Sequence, residues 1–370
     1  MEDLVGALRR HYENRSVLVT GHTGFKGTWL SHWLMKLGAR VSGYALAPDT
    51  TPSLFELTHM SARVPTTLAD LGELATLRET FERSQPDTVF HLAAQPLVRK
   101  SYRVPVETFA TNVMGTVHLL ECARHTPSVK TVVIVTSDKC YENLEHIWPY
   151  RETDRMGGHD PYSASKGCAE LVTAAYRSSF LRDRGVGVAS ARAGNVIGGG
   201  DWAEDRLIPD IVRGAASGTP VLIRNPASTR PWQHVLEPLS GYLMLGMCVS
   251  QDPTRFADGW NFGPNEGEDG VPAGRVATQF SKELGRGEIV LGQAPPDAAL
   301  HEARLLRVDS TKARVELGFR PRLTLDDALS MTAEFYRANL DWSGPRPPES
   351  TGPERALLEE QIGRYEQRMG

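Results

Sequence analysis

The sequence SVLVTGHTGFKG, residues 16–27, decides the fold of this chain. A short β-branched run is followed by Gly21, Gly24 and Gly27, at the spacing G-x-x-G-x-x-G. This pattern predicts a strand, a tight turn and the start of a helix. Gly21 permits the turn, Gly24 lets the backbone approach a pyrophosphate, and Gly27 allows close packing of helix on sheet. The helix N-terminus favours an anion, so the loop predicts a dinucleotide site.

The residues around this loop leave the choice of dinucleotide open. His22 and Lys26 would place positive charge near the phosphates, although each could equally be a solvated loop residue. The second predicted strand, 40–45, is not followed by the acid that usually binds the adenosine ribose. No acid occurs before Asp49, and no Arg or Lys in that stretch could hold a 2′-phosphate. Local chemistry therefore does not choose between NAD and NADP.

Apolar runs alternate with amphipathic helical patterns through the first half of the chain. Strands are predicted at 16–20, 40–45, 88–93, 130–136 and 186–191, and helices at 28–37 and 163–181. Strands that are apolar along their whole length are typical of a sheet covered on both faces. Strands that alternate with helices indicate an α/β fold, here a Rossmann-type doubly wound parallel sheet.

The domain organisation follows from a change in composition after residue 193. We predict a dinucleotide-binding Rossmann domain in residues 1–193. Gly, Pro and Trp then become frequent, so residues 194–342 are interpreted as a smaller, mostly C-terminal α/β substrate-binding region, interleaved with the sheet. Residues 343–370 are expected to form a Pro-rich segment and a terminal helix.

Composition excludes several functional classes. The 370 residues carry a formal net charge of −4, so no basic field points to nucleic acid. No apolar run approaches the roughly 18 residues of a membrane span, and residues 1–15 do not resemble a signal peptide. The four cysteines are widely spaced and the histidines show no metal-ligand spacing, so neither disulfides nor a metal is expected. We therefore expect a soluble cytoplasmic protein.

Tyr162 and Lys166 form a Y-x-x-x-K pair at the start of a predicted helix. Residues four apart share one helix face. A tyrosine of ordinary pKa, ~10, is a poor base at neutral pH. A nearby ammonium and a positive nicotinamide ring would lower that pKa, so that Tyr162 takes a hydroxyl proton while hydride leaves the adjacent carbon.

Polar residues close the strand that precedes this helix, at Thr136, Ser137, Asp138 and Lys139. Eliminating water from a hydroxylated substrate needs an acid for the leaving hydroxyl and a base for a carbon-bound proton. Asp138 is the natural acid if burial raises its pKa. Lys139 could be the base, or could only position Asp138 and the hydroxyl. A polar turn with an ion pair is the structural alternative.

These stretches resemble the CDP-glucose 4,6-dehydratases of the extended short-chain dehydrogenase/reductase superfamily. The resemblance runs from about residue 13 to about residue 340. It rests on residues 20–30, 91–96, 136–143, 162–166, 192–202, 230–235 and 260–264. The glycine loop and the Y-x-x-x-K pair define only the superfamily. Asp138-Lys139, where other nucleotide-sugar dehydratases have Asp-Glu, is more specific.

The resemblance implies a lyase that converts CDP-D-glucose to CDP-4-keto-6-deoxy-D-glucose. NAD would take hydride from C4 while Tyr162 accepts the O4 proton. The C5 proton would then leave with the C6 hydroxyl, assisted by Asp138, and hydride would return to C6. Lys139 is the preferred C5 base, and Thr136 or Ser137 would hydrogen-bond the reacting sugar oxygen.

The resemblance also assigns the binding residues. Those expected to bind NAD are Gly21, His22, Thr23, Gly24, Phe25, Lys26, Gly27, Asp70, Leu71, Leu92, Ala93, Ala94, Gln95, Asn112, Tyr162 and Lys166. Those expected to bind the nucleotide sugar are Gln95, Asn195, Arg213 and Arg230. His301 is added to this set from its place in a later loop region, not from the resemblance. An arginine suits a diphosphate because its guanidinium forms bidentate, charge-assisted hydrogen bonds.

Other functions stay open at this point. The rivals are a dehydratase for another nucleotide sugar, an epimerase of the superfamily, and a non-catalytic NAD-binding protein. Asp138 argues against a plain epimerase, which has no leaving hydroxyl to protonate. The presence of both Tyr162 and Lys166 argues against a non-catalytic protein. Relatives pair through two long helices, here 106–124 and 163–181, so a homodimer or homotetramer is expected.

Overall fold

The computed structural model describes residues 3–265, 267, 270–292, 303–339 and 353–370. The strands are β1 (Ser16–Thr20), β2 (Arg40–Ala45), β3 (Thr66–Leu68), β4 (Thr88–His91), β5 (Thr131–Val135), β6 (Gly187–Arg192), β7 (Val196–Ile197), β8 (Val221–Ile223), β9 (Thr229–Arg230), β10 (Gln233–His234), β11 (Gly259–Asn261), β12 (Val271–Pro272) and β13 (Ile289–Leu291).

The helices surround these strands. They are α1 (Leu4–Tyr12), α2 (Phe25–Lys36), α3 (Leu54–Leu57), α4 (Leu74–Ser84), α5 (Val98–Arg103), α6 (Pro105–Phe109), α7 (Gly115–His125), α8 (Pro161–Tyr176), α9 (Leu207–Ser217), α10 (Leu236–Gln251), α11 (Pro253–Phe256), α12 (Ala273–Leu284), α13 (Leu325–Arg337) and α14 (Pro353–Met369). Wider π-helical turns follow α6 at Ala110–Met114 and α8 at Arg177–Leu181, and a third covers Ala313–Leu317. Within the described ranges, no helix is long and apolar enough to cross a bilayer.

Seven strands form one sheet in the order β11-β6-β5-β4-β1-β2-β3, and all of its pairings are parallel. The chain runs outward from β1 to β3, then returns to build the other half from β4. The order therefore reverses between β1 and β4, where Thr20 is in register with His91. A crevice at the carboxyl ends of the strands, beside such a reversal, is where open α/β sheets bind ligands. The predicted doubly wound α/β fold is confirmed.

Apolar side chains cover both faces of the sheet. On one face α1, α2, α10 and α14 contribute Leu8, Trp33, Leu243 and Tyr365 to a common core with the strands. On the other face the core includes residues from α4 and α7. This double burial explains why the central strands are apolar at successive positions, since neither face meets solvent.

The predicted helix boundaries differ from the observed ones at the first glycine loop. Helix α2 begins at Phe25, not at Thr28, because Gly24 is its N-cap residue and Gly27 lies in its first turn.

The predicted helix at 106–124 is interrupted by the π-helical turn at Ala110–Met114. The backbone bonds of such a turn reach one residue further than in an α-helix. Periodicity does not reveal that local change.

Residues beyond 193 contribute to the sheet as well as to the smaller region. Strand β11 pairs with β6 at the edge of the sheet. Three two-stranded sheets, β7 with β10, β8 with β13 and β9 with β12, complete the smaller region. Of the predicted C-terminal part, 343–370, residues 343–352 lie outside the described residues, and α14 begins at Pro353. The domain boundaries at 193 and 342 stay a prediction.

Candidate functional site

A cavity of about 630 Å³ lies at the carboxyl ends of the central strands. Most of the residues predicted from sequence line it. They are Gly21, Thr23, Gly24, Phe25, Lys26, Gly27, Asp70, Leu71, Leu92, Ala93, Ala94, Gln95, Thr136, Ser137, Asp138, Lys139, Tyr162, Lys166, Asn195 and Arg230. His22, Asn112 and Arg213 do not line it, and His301 lies outside the described residues.

The glycine loop forms one wall of this cavity. Gly21 has a positive φ of 72°, and a Cβ there would lie 2.6 Å from the Ala93 nitrogen. A Cβ on Gly27 would overlap the Gly21 carbonyl. Gly24, in contrast, has only the Gly21 oxygen nearby, at 3.4 Å, so its open side faces free space. The first N–H groups of α2 have no partner within the helix. This wall therefore fits a pyrophosphate.

His22 takes no part in that wall. Its imidazole is fully buried behind the loop, where Nε2 lies 3.0 Å from the Thr66 hydroxyl and the ring packs edge-on against Phe55. A Cβ on Gly43 would overlap the ring, so glycine leaves the space that His22 fills. Burial lowers the pKa of His22 to about 4. The ring is neutral at neutral pH, and the positive charge expected from the sequence at this position is absent.

Lys26 does face the cavity. Burial lowers its pKa to about 7, with a further lowering from the Arg206 guanidinium and an opposing effect from the Asp138 carboxylate. Its ammonium also lies 6.0 Å from the ring centre of Tyr242. The charge of Lys26 is thus directed at the reactive end of the cavity as well as at the glycine loop.

The far end of the cavity is lined by Asp49, Asp70 and Leu71, beyond strands β2 and β3. The Tyr44 hydroxyl donates to the Asp70 carbonyl at 2.6 Å and fixes the end of β3 relative to β2. A 2′-phosphate placed here would meet the carboxylates of Asp49 and Asp70. Like charges repel strongly at short range, so this end of the cavity favours NAD over NADP.

Helix α8 presents the Y-x-x-x-K pair to the cavity. Asp160 caps the helix by accepting from the Ser163 N–H at 2.9 Å, and Pro161 occupies its first position. Tyr162 and Lys166 follow on one face, and both are buried. The cap fixes where α8 begins and therefore where the pair lies along the cavity.

The surroundings of the pair shift both pKa values. Burial raises the pKa of Tyr162 to about 12, while its hydrogen bond with Ser137 acts in the opposite direction. Burial lowers the pKa of Lys166 to about 8. Within the chain alone, burial thus outweighs the influences that lower the pKa of Tyr162, and the phenol stays protonated. The Arg206 guanidinium acts to lower this pKa, and a positive nicotinamide ring would lower it further.

Ser137 and Asp138 leave the end of β5 and turn into the cavity. The Ser137 hydroxyl donates to Oδ1 of Asp138 at 2.9 Å and also contacts Tyr162. Asp138 is 2% exposed, and its Oδ2 has no hydrogen-bond partner among the described residues. A Cβ on Gly194 would overlap that oxygen. Asp138 therefore has a free carboxyl oxygen in a space that exists only because residue 194 is glycine.

Thr136 and Lys139 flank this pair in different environments. The Thr136 hydroxyl donates its proton to the buried carboxylate of Glu170, so it is not available to hydrogen-bond a substrate. Ser137 is consequently the hydroxyl that faces Tyr162. Lys139 is half-buried and borders both the main cavity and a small neighbouring one.

Asn112 lies behind the cavity. Its side chain accepts from the Gln95 N–H at 2.8 Å and donates to the Gln95 carbonyl at 3.1 Å. It also donates to the Ser165 hydroxyl at 2.8 Å, on α8. Asn112 joins the loop after β4 to the helix of Tyr162. Its place in the structure is that of a residue that positions the site from behind.

The predicted substrate arginines differ in what they contact. Arg213 donates to the carbonyls of Trp202 and Ala203 at 2.8 and 3.1 Å and pairs with Asp210. Arg213 thus holds a loop together, outside the cavity. Arg230 is buried at the cavity wall, where it also donates to the Ala303 carbonyl at 2.6 Å.

Other cations line the cavity that the sequence did not suggest. Arg206 pairs with Asp201 at 2.8 Å, and its charge acts on Tyr162 to lower the pKa of the phenol. Arg99 and Arg224 both approach Asp205, at 3.7 and 3.5 Å. These arginines come from separate elements, so no spacing in the sequence could have grouped them. Within the described part of the chain, no cluster of His, Cys, Asp or Glu suits a metal ion.

The family described as GDP-mannose 4,6 dehydratase matches residues 18–332, which include the glycine loop and every catalytic candidate. The chain belongs to this family. The predicted membership among sugar-nucleotide dehydratases of the short-chain dehydrogenase/reductase type is confirmed. Within this family the chain is 48% identical over 337 residues to CDP-glucose 4,6-dehydratase of Salmonella typhimurium, covering 89% of the chain and 92% of that relative.

Solved structures of dehydratases and related proteins share the fold. MoeE5 in complex with UDP-glucose and NAD superposes with a TM-score of 0.73 and 26% identity, covering 88% of this chain and 100% of that one. The dTDP-glucose 4,6-dehydratase of Bacillus anthracis, in complex with NAD, superposes with a TM-score of 0.72 and 22% identity. The match covers 89% of this chain and 98% of that one. A Rossmann-type sheet is therefore common to this chain and to these NAD-containing proteins.

Proposed function

We propose that the chain catalyses the NAD-dependent 4,6-dehydration of CDP-D-glucose to CDP-4-keto-6-deoxy-D-glucose. The observation that carries the proposal is the meeting of Tyr162, Ser137 and Asp138 in one cavity, with Oδ2 of Asp138 unpartnered among the described residues. An oxidation or epimerisation needs only the phenol and the hydroxyl. A buried carboxyl with a free oxygen beside them is what loss of water additionally requires. CDP-glucose is chosen because the 48% identical relative is a CDP-glucose 4,6-dehydratase.

The glycine wall fits NAD, since only the absence of a side chain at Gly24 leaves space for a pyrophosphate beside the N-terminus of α2. Bound NAD supplies a hydride acceptor that is regenerated within each turnover. Tyr162 takes the proton of the sugar 4-hydroxyl, and the Lys166 ammonium stabilises the resulting phenolate. When substrate binds, the Ser137 hydroxyl turns its proton from Oδ1 of Asp138 to the reacting oxygen and holds that oxygen near Tyr162.

The elimination step falls to the residues after β5. Asp138 donates a proton to the departing 6-hydroxyl through its free Oδ2. Lys139 accepts the C5 proton, because it follows Asp138 directly and borders the same cavity. It returns a proton to C5 when C6 is reduced, which completes the 4-keto-6-deoxy product and restores the amine. Arg206, Arg224 and Arg230 also line the cavity, and their positive charge would bind the substrate diphosphate.

A spectrophotometric assay tests the reaction class and the nucleotide together. We expect purified protein with NAD and CDP-glucose to form a 4-keto product, seen as an ultraviolet absorbance that develops in alkali. The dTDP-, UDP- and GDP-glucose reactions are run in parallel. Product from dTDP-glucose alone would refute the choice of CDP, and product from none of them would refute the dehydratase. Tyr162→Phe, which keeps the ring and removes the hydroxyl, should abolish the signal.

We also propose that the protein forms homodimers, or tetramers built from them, in the cytoplasm. Apolar side chains are exposed along the two helical segments that relatives use for pairing, with Val106 81% and Leu171 62% exposed. Phe109 and Met114 extend this apolar surface. All four cysteines are free thiols, which suits a reducing compartment.

A further inference from the structure

A buried ion pair lies directly behind the catalytic face of α8. Glu170 follows Lys166 by one helical turn and is 5% exposed. Its carboxylate accepts from Nε and Nη2 of Arg192 at 2.9 and 2.7 Å, which is a bidentate pair. It also accepts from the hydroxyl of Ser190 at 2.6 Å and from that of Thr136. Both oxygens of this carboxylate are therefore engaged, by residues from two separate parts of the sequence.

The pair joins the elements that carry the site. Glu170 belongs to α8, Thr136 follows β5, and Arg192 ends β6. The third nitrogen of Arg192, Nη1, donates to the Tyr141 hydroxyl at 2.7 Å, just beyond Asp138 and Lys139. A Cβ on Gly259 would overlap the guanidinium, so strand β11 leaves the space for it. The network fixes the strand end of Ser137 and Asp138 relative to the helix of Tyr162.

Lys166 needs an anion if it is to keep its charge. Burial lowers its pKa, and Glu170 is the foremost influence in the opposite direction. Cys140 and His91 also interact with Lys166, and neither supplies a negative charge. Burial raises the pKa of the Cys140 thiol well above its ordinary value and lowers the pKa of His91, so both are neutral. Lys26, from α2, repels it.

Glu170 itself stays ionised. Burial acts to raise its pKa, but Arg192 and the hydroxyl donors hold that pKa below the ordinary value. Arg177, the residue that directly follows α8, is a further cation that interacts with this carboxylate. The charge of Glu170 is thus fixed from β6 on one side and reaches Lys166 on the other.

We propose that Glu170, held by Arg192, is a positioning residue that keeps the Lys166 ammonium charged and the β5 strand end in place beside Tyr162. The inference deepens the proposed dehydratase function and rests on it. The ammonium stabilises the Tyr162 phenolate, so activity falls as the pH rises through the pKa of Lys166. Without the carboxylate of Glu170 that fall should come at lower pH.

The test is the pH profile of kcat/KM for CDP-glucose, measured on NAD-loaded enzyme. We expect Glu170→Gln to move the alkaline limb to lower pH by about 1 unit, the low end of the effect of an opposite charge at close range. Glu170→Asp keeps the charge and should restore the limb, whatever its kcat. Ser190→Ala removes one hydrogen bond to the same carboxylate and should leave the limb where it is.

A matched control separates charge from damage to the core. Glu237, on α10, is another buried carboxylate, accepting from the Tyr365 hydroxyl at 2.7 Å outside the cavity. Glu237→Gln should change thermal stability without moving the limb. A folded, active Glu170→Gln enzyme with an unmoved limb would overturn the inference, whereas an inactive wild type would overturn the dehydratase proposal instead. If Glu170→Gln does not fold, the double variant Glu170→Gln/Arg192→Gln replaces it, because it leaves no unpaired buried ion. The alkaline limb of its kcat/KM profile should likewise lie at lower pH than that of the wild type.

Discussion

At the scale of single residues, the proposed chemistry depends on one oxygen atom, Oδ2 of Asp138. Its partner Oδ1 is engaged by Ser137, while Oδ2 lies against the backbone of Gly194 without a hydrogen bond from the described residues. A buried polar atom without a partner is costly and rare in folded proteins. Here the cost is consistent with an oxygen kept available for a substrate hydroxyl.

Asp138→Asn should separate oxidation from elimination. The amide has the shape of the carboxyl group but cannot donate its proton, so product formation should fall by about 10²–10⁴. Oxidation at C4 uses Tyr162, Ser137 and Lys166, which are unchanged. Stopped-flow absorbance should therefore still record reduced cofactor on mixing with CDP-glucose. Full turnover by this variant would remove Asp138 from the proposed role.

Gly194→Ala should impair the same atom without changing any polar group. The added methyl would overlap the Asp138 carboxylate, which must move away from Ser137. We expect at least about a tenfold loss of kcat together with about 1–3 kcal/mol of strain, the usual effect of overpacking. Assays and denaturant melts of the variant measure the two effects.

The control for that variant is Gly363→Ala on α14, where the nearest atom to a new Cβ is Nζ of Lys36 at 3.4 Å. Replacing a helical glycine by alanine there should add about 0.5–1 kcal/mol of stability and leave activity unchanged. Equal activity losses in both variants would show that the Asp138 contact is not the cause.

The assignment of the C5 base predicts different losses for two lysines. Lys139→Met should lower turnover by about 10²-fold or more and abolish deuterium exchange at C5 in heavy water, measured by mass spectrometry. Lys26→Met should instead weaken cofactor binding and keep the exchange, since Lys26 lies on the glycine loop. The opposite pattern would make Lys26 the base.

At the scale of elements, the parallel core was predictable because its local signals agree. Strands β1 and β2 begin and end where the apolar runs do, and the Y-x-x-x-K pair opens α8 as its Asp-Pro cap indicates. Glu170 is four residues beyond Lys166, so helical spacing alone could have suggested it. The partner of Glu170 could not be predicted from the sequence. Arg192 lies on β6, and the space for its guanidinium is left by Gly259 on the paired strand β11.

Helix α14 is the element whose contribution to stability is easiest to measure. Ile362 and Tyr365 are fully buried on its inner face, whereas Glu360 is exposed. Ile362→Ala should destabilise the protein by about 2–5 kcal/mol through lost burial and a residual cavity. Denaturant melts measure this, and Glu360→Ala on the same helix should change stability by less than about 0.5 kcal/mol. Similar values for the two variants would mean that α14 does not pack on the core.

At the scale of the whole molecule, the proposed dimer predicts a response to charge on one helix face. Leu171 lies on α8 and is 62% exposed. Leu171→Glu should place desolvated charge at the centre of the proposed interface and yield monomers in analytical ultracentrifugation. Val315→Glu, at a residue 76% exposed on a different element, is the control and should leave the assembly intact. A wild-type protein that sediments as a monomer would refute the dimer.

Helix α14 also links distant parts of the chain. Its Glu366 accepts from Nε1 of Trp33 at 2.9 Å and pairs with Lys36. Helix α14 therefore covers α2, the helix that follows the glycine loop. On the ribosome, α2 emerges hundreds of codons before the helix that shields its back. A nascent chain must carry the indole of Trp33 uncovered for the intervening time, at roughly 5–20 residues per second of synthesis. Translation that stops short of residue 353 would leave this apolar surface open to chaperones and proteases.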